Sequence, residues 1–293
     1  MSRGTALLIS RRAPGLLLRP AVCAIIFFAI CLAGSPDCSG AIAELFGKPP
    51  ANSITFWGHA CFYIDVQGYG IVTDPAFEGR LFLRWRRVPA PPPASYAGTR
   101  LILISHSHPD HLAPNTLRTF PQDVTVLCPQ PAAGMIEDLG MNAEIMRPGD
   151  SFDYPGGRVV AVMAKHAGAR YGVRSPKDGS ALGYVIYTPS STIYYSGDTN
   201  LFEGMNDVGR VHSPDIAILN ISGHLHGNDA VKAARRIGAG TVIPAHFGTY
   251  GHLFLPASEL PRDYDQLKDG LGERLTLLHL GESLALDCME NEE

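Results

Sequence analysis

The stretch 101–112 reads LILISHSHPDHL. Its leading aliphatic residues predict a buried strand. The strand runs into a dense cluster of His106, His108, Asp110 and His111. Imidazoles and a carboxylate at this density suit a transition metal. A lone histidine would read as a polar core or surface residue; this grouping does not. His106 and His108 are two apart, so in extended backbone both side chains leave on the same face. Pro109 forces a turn, after which Asp110 and His111 follow. One short loop can therefore offer two ligands to one metal and two to a neighbour.

The same pattern recurs along the chain. The apolar run 158–164 (RVVAVMA) leads into His166, 192–196 (TIYYS) leads into Asp198, and 241–243 (TVI) leads toward His246. A further run, 215–220 (DIAILN), leads to a loop holding His224 and His226. A buried sheet that presents its loops at one edge is a natural platform for a site. Other strands are expected over 54–66, broken at Gly58-His59, and over 71–73, 124–128, 144–146, 151–154 and 182–188. Helices are expected over 114–120, 131–139 and 228–237. The segment 77–95 contains Pro91-Pro92-Pro93, which lacks ladder donors, so it reads as a surface loop.

Of the 293 residues, 45% are hydrophobic and 18% charged, with a formal net charge of −4. That balance provides a sizeable core and no basic face for nucleic acid. Gly (31) and Pro (23) are plentiful, predicting a loop-rich α/β fold. Arg3, Arg11, Arg12 and Arg19 precede the apolar run 21–34, AVCAIIFFAICLAG. This order predicts a secretory signal over residues 1–43, with cleavage after Ala41-Ile42-Ala43. Export to the periplasm or medium follows, with an uncleaved membrane anchor as the alternative. Residues 44–293 then form one domain. Its cysteines are Cys61, Cys128 and Cys288, too few for a disulfide framework.

The spacing His106-x-His108-x-Asp110-His111, with His166, Asp198 and His246 downstream, resembles the metallo-β-lactamase-fold hydrolases. Three further segments extend the resemblance: 57–62 (WGHACF) with 73–75 (TDP), 195–199 (YSGDT), and 243–249 (IPAHFGT). The first resembles a sub-group that includes N-acyl-phosphatidylethanolamine phospholipase D and ascorbate-phosphate lactonase type proteins. The resemblance implies an α/β four-layer αββα sandwich with a metal site at one edge of two sheets. The donor chemistry supports two divalent ions, zinc first, with manganese or iron as alternatives. His106, His108 and His166 would form one ligand set and Asp110, His111 and His246 the other, with Asp198 bridging. A metal-bridging hydroxide would attack an ester, lactone or phosphodiester, and Asp110 would also move a proton. Asp110 and Asp198 are thus the candidate catalytic residues.

Candidate substrate residues are His59, Arg170, His226 and Tyr250. His59 also reads as a buried residue tying two strands together. Arg170 would hold a phosphate or carboxylate. The substrate is expected to be a small molecule or a lipid. The stretch 80–87, RLFLRWRR, raises peripheral contact with an anionic membrane. Together with Arg170 it motivates a phospholipase D-like alternative. A metal-binding scaffold of the same fold is the non-enzymatic alternative, and the complete ligand set argues against it.

Overall fold

The computed structural model describes residues 38–81, 83–167, 181–221, 224–252, 260–261 and 263–286. The chain divides into two compact units, Met1–Ala41 and Ile42–Glu293, and every strand belongs to the second. No helix among the described residues is long and apolar enough to cross a membrane. The apolar run 21–34, Arg170 and Cys288 lie outside the described residues.

The sheet elements are β1 (Ser53–Gly58), β2 (Cys61–Val66), β3 (Tyr69–Thr73), β4 (Arg80–Leu81), β5 (Arg84–Arg86), β6 (Thr99–Leu103), β7 (Thr125–Cys128) and β8 (Asn142–Ile145). They continue with β9 (Ser151–Tyr154), β10 (Gly157–Met163), β11 (Leu182–Tyr187), β12 (Thr192–Tyr195), β13 (Ile216–Asn220), β14 (Thr241–Ala245), β15 (Tyr250–His252) and β16 (Ser283–Ala285). The helices are α1 (Cys38–Leu45), α2 (Pro114–Leu117), α3 (Gln130–Glu137), α4 (Gly204–His212), α5 (Gly227–Ile237) and α6 (Tyr264–Leu271).

One sheet has the order β16-β1-β2-β3-β6-β7-β8 and a second the order β14-β13-β12-β11-β10-β9. Strand β6 shows how the layers form. Leu101 and Leu103 join a cluster shared with Tyr184, Ile193, Ile218 and Ile243 of the second sheet. Ile102 and Ile104 point the other way, toward Leu117 of α2 and Ile136 of α3. Such a strand is buried on both faces, which is why its sequence is an unbroken aliphatic run. The second sheet does the same. Val185, Ala217 and Val242 face Val208 of α4, Val231 of α5 and Leu267 of α6. Helix, sheet, sheet and helix layers result, as expected of an αββα sandwich.

Strand direction explains where the site lies. Strands β3, β6, β7 and β8 are mutually parallel, as are β12, β13 and β14. Strand β10 is antiparallel to β11, and β11 to β12, so β10 runs with β12. By the same step β1 runs with β3. The segments after β1, β3 and β6, and those after β10, β12, β13 and β14, therefore emerge at the carboxyl ends of like-directed strands. In α/β sheets that edge is where ligands bind.

The segment 77–95 departs from the expected loop. Its proline run carries no strand, but β4 and β5 form a small third sheet with β15. The ladder pairs Arg86 with Tyr250 and Arg84 with His252. Pairing with a strand far along the chain creates regular structure that local sequence does not announce. The described cysteines Cys61 and Cys128 are buried and free.

Candidate metal centre

Seven side chains meet at this edge. The loop after β6 supplies His106, His108, Asp110 and His111, β10 delivers His166, β12 delivers Asp198, and β14 delivers His246. The backbone is bent to do so. His59, Asp74 and His246 adopt positive φ (57°, 35° and 69°) just past the ends of β1, β3 and β14, conformations that cost energy for side-chain-bearing residues. At Gly197 (φ 55°) an added Cβ would lie 2.6 Å from the Ser105 Cβ and 2.8 Å from the Leu182 carbonyl oxygen. The glycine therefore lets the Asp198 loop close against the histidine loop.

The donors form two groups. In the first, His106 Nε2 lies 2.9 Å from His108 Nδ1, and His166 Nε2 lies 3.3 Å from that same atom. In the second, His111 Nε2 lies 3.2 Å from His246 Nε2, and Asp110 Oδ2 lies 3.6 Å from His246 Nε2. Asp198 Oδ1 is 3.5 Å from both His111 Nε2 and His246 Nε2. Zinc–nitrogen bonds of 2.0–2.1 Å in a tetrahedron put neighbouring donors about 3.3–3.4 Å apart. Spacings of 3.2–3.6 Å lie near that separation, while the His106–His108 spacing of 2.9 Å is shorter. His106, His108 and His166 can hold one ion; Asp110, His111 and His246, with His59 alongside, can hold another.

Buried partners orient the donors. Asp74 accepts from the Ser105 backbone N–H (2.7 Å), from the Ser105 and Tyr195 hydroxyls, and from His111 Nδ1 (2.7 Å). With Nδ1 occupied, His111 presents Nε2 to the site, the carboxylate–histidine arrangement seen behind many metal ligands. Ser105 Oγ plays the same part for His106 Nδ1 (2.9 Å). Asn220 Nδ2 donates to Asp198 Oδ1 (3.0 Å). His59 Nε2 lies 3.1 Å from Asp110 Oδ2, and the His59 carbonyl accepts the His246 N–H at 2.6 Å.

The charges are arranged to match. Burial drives His106 well below the usual histidine value, lowers His166 to about 4 and lowers His59 to about 3. Burial also disfavours charge on His111, but Asp198, Asp74 and Asp110 outweigh it and hold its pKa well above normal. For Asp198 and Asp110, burial alone would raise the pKa. The surrounding histidines, His246 and His111 around Asp198 and His111 foremost at Asp110, keep both ionised. A metal ligand must be a neutral imidazole, so a metal held by the second set would displace a proton from His111. The raised His111 pKa makes a proton compete with metal there, so affinity should fall as the pH falls. His106 and His166, already neutral, release none. Calorimetry in two buffers of different ionisation enthalpy should find net proton release on metal uptake. Metal uptake without proton release would contradict this charge assignment.

A family model described as "Beta-lactamase superfamily domain" matches residues 69–247, a span holding all seven donors. A UPF0173 metal-dependent hydrolase of Methanocorpusculum labreanum is 32% identical over 235 residues, covering 78% of this chain and 94% of the relative. The chain belongs to the metallo-β-lactamase superfamily, among its UPF0173 metal-dependent hydrolases. A second such hydrolase, from Anoxybacillus flavithermus, is 27% identical and covers 80% of this chain and 99% of its own. Among solved structures, the fold resembles an isothiocyanate hydrolase from Delia radicum gut bacteria, with a TM-score of 0.65 at 18% identity over 80% of this chain and all of that one. It also resembles a metallo hydrolase from Ignicoccus hospitalis, with a TM-score of 0.59 at 21% identity over 79% of this chain and 97% of that one. The enzyme reading of the sequence stands.

Around the hydrolase's donors, the remaining candidates are placed unevenly. His59 lies inside the second group, and Tyr250 meets it edge-on at 5.1 Å between ring centroids. His226 does not face the donors among its described contacts. It precedes α5, is half exposed, and lies 3.5 Å from Asp263. Its neighbour His224 packs its ring against His166 instead, at 4.5 Å. Asp74 and Asn220 were missed as site residues. Asp74 stands in the quoted TDP segment and Asn220 ends an apolar strand, so position after a strand was the available signal.

Proposed function

We propose that this hydrolase holds two divalent ions, zinc first, and cleaves an ester, lactone or phosphodiester bond. The observation that carries the reading is Asp198. Its Oδ1 stands 3.5 Å from both histidines of the second set, and its charge also acts on His106 and His166 of the first. A carboxylate in contact with one set and electrostatically coupled to the other supports the bridging role and a binuclear centre. Ions so held supply a water acidified to near neutrality and polarise the scissile group. The chain does the rest. His106, His108 and His166 fix one side, while Asp110, His111 and His246 fix the other. Asn220 holds Asp198 in register. Asp110 is ionised, and its side chain is 24% exposed, so it can take and pass on a proton at its carboxylate as the bond breaks. His224, exposed and packed on His166, flanks the substrate side.

A lipid phosphodiester is the narrower reading. What supports it is the β4–β5 hairpin beside the site, where Arg80 and Arg84 are exposed and Leu83 is 69% exposed. Arg86 of the same stretch turns inward. Export rests on the residue pattern of the first 43 positions, and an N-terminal sequence of the mature protein starting near Met1 would overturn it.

The test has two parts. Elemental analysis of the purified protein should give close to two metals per chain. The zinc-loaded protein should then turn over one class in a panel of phosphodiesters, lactones and β-lactams, with turnover lost on chelation. Fewer than one metal per chain, or turnover unaffected by chelation, would refute the reading.

A further inference from the structure

Arg86 is half-buried, its guanidinium set among carbonyl groups near the second donor set. Its Nη1 donates to the Ala76 carbonyl (3.0 Å), Nη2 to those of Trp57 (3.2 Å) and Pro89 (3.3 Å), and Nε to that of Val88 (3.2 Å). Its guanidinium lies over the Phe77 ring at 5.5 Å and the Tyr250 ring at 5.9 Å. None of the described ion pairs gives it a carboxylate. The Tyr250 hydroxyl converges on the same place, donating to the Ala76 carbonyl (3.0 Å) with the Glu78 carbonyl 3.2 Å away. The backbone adds to the tie: Arg86 pairs with Tyr250 in the β5–β15 ladder, and the Arg87 N–H donates to the Thr249 carbonyl (2.8 Å).

The tied segments share one neighbourhood. Trp57 lies two residues before His59, Ala76 two after Asp74, and Tyr250 four after His246. All three neighbours belong to or support the second donor set. The strands bearing His106, His108 and His166 are not among them. Gly58 (φ 98°) makes the approach feasible, since a Cβ there would lie 2.9 Å from Thr249 Oγ1 and 3.4 Å from Arg86 Nη2.

We propose that Arg86 is a positioning residue. With Tyr250 it clamps the strap 246–250 against the β1 and β3 ends, and so sets the geometry of His59 and His246 without ordering the three-histidine set. A guanidinium suits the task, because its rigid fork can satisfy several carbonyls at fixed angles. The inference rests on the binuclear reading for its effect on metal, but its effect on histidine geometry does not.

The test compares Arg86→Gln, Arg86→Lys and Tyr250→Phe with the unaltered protein. In competitive zinc titration against a chelator, Arg86→Gln should weaken one of the two binding steps by about 10–100-fold, the range for partners that orient ligands, and leave the other unchanged. Arg86→Lys keeps the charge but not the fork, and should behave like Arg86→Gln. Tyr250→Phe, which removes one hydroxyl, should give a smaller loss at the same step and serves if the arginine variants fail to fold. In the metal-free protein, imidazole nitrogen resonances of His59 and His246 should move while those of His106 and His166 stay. Equal losses at both steps, full rescue by lysine, or shifts spread over all the histidines would overturn the clamp. If the unaltered protein binds a single zinc, the binuclear reading fails, and the metal-free resonances alone decide the clamp.

Discussion

Asp198→Ala should abolish turnover on any substrate the enzyme is found to accept, a loss well beyond the 10–100-fold typical of residues that merely orient ligands. The side chain is 5% exposed, and its Oδ1 is the one carboxylate oxygen within 3.5 Å of both His111 and His246 among the described ion pairs. Removing it does three things at once. It deletes a donor from the second set. It deletes the foremost charge that raises the His111 pKa. It leaves Asn220 Nδ2 buried without its partner. Asp198→Asn restores the hydrogen-bonding volume but not the charge, so it should recover folding and not catalysis. Single-turnover assays with saturating zinc would read the effect. Activity within about tenfold of the unaltered enzyme in either variant, a free-energy change of only 1.4 kcal/mol, would refute the bridging role.

How far the sequence carried depends on the range over which each feature is encoded. Strand β6 and its histidines were legible because the signal is local. Burial on both faces gives an aliphatic run, and four donors come within six positions. Helix α4 was not foreseen. Its sequence, GMNDVGRVH, holds two glycines, an asparagine and an aspartate, poor helix formers. It forms because Met205 and Val208 are buried against the second sheet. Gly209 is needed there, since a Cβ would lie 2.6 Å from the Arg236 and Ile237 carbonyl oxygens of α5. Strands β15 and β16 and helix α6 were likewise silent, being short segments stabilised by distant partners. The histidine pair 224 and 226 shows a finer limit. Of the two on one loop, His226 is the substrate-side candidate from sequence, yet His224 packs on His166 and His226 turns to Asp263. The side assignment depends on backbone at the entry to α5 that no spacing rule specifies.

Asp74→Ala should be among the most destabilising substitutions in the protein, costing about 3–5 kcal/mol, the range for breaking a buried, hydrogen-bonded charge pair. Asp74 is 1% exposed and sits at the junction of the two sheets, reached from β6 by Ser105 and from β12 by Tyr195. Alanine leaves the Ser105 N–H and hydroxyl without their acceptor and the Tyr195 hydroxyl with only the Ala60 carbonyl (3.2 Å), and each group left unsatisfied costs about 1–3 kcal/mol. It also frees His111 Nδ1. The imidazole then has no partner fixing which nitrogen carries the proton, so its Nε2 lone pair is no longer held toward the site. Asp74→Asn separates the two effects. The amide keeps the volume and one acceptor oxygen, and the Ser105 and Tyr195 hydroxyls can turn to accept from its NH₂ group, so part of the stability should return. Its NH₂ group cannot accept from His111, so zinc affinity at the second donor set should stay about 10–100-fold weaker. Urea unfolding at neutral pH with chelator present measures the first effect without metal linkage. Zinc competition on the asparagine variant measures the second. An alanine variant destabilised by less than about 1 kcal/mol, the ordinary cost of an arbitrary substitution, would show that Asp74 does not join the sheets. Unaltered zinc affinity in the asparagine variant would show that it does not orient His111.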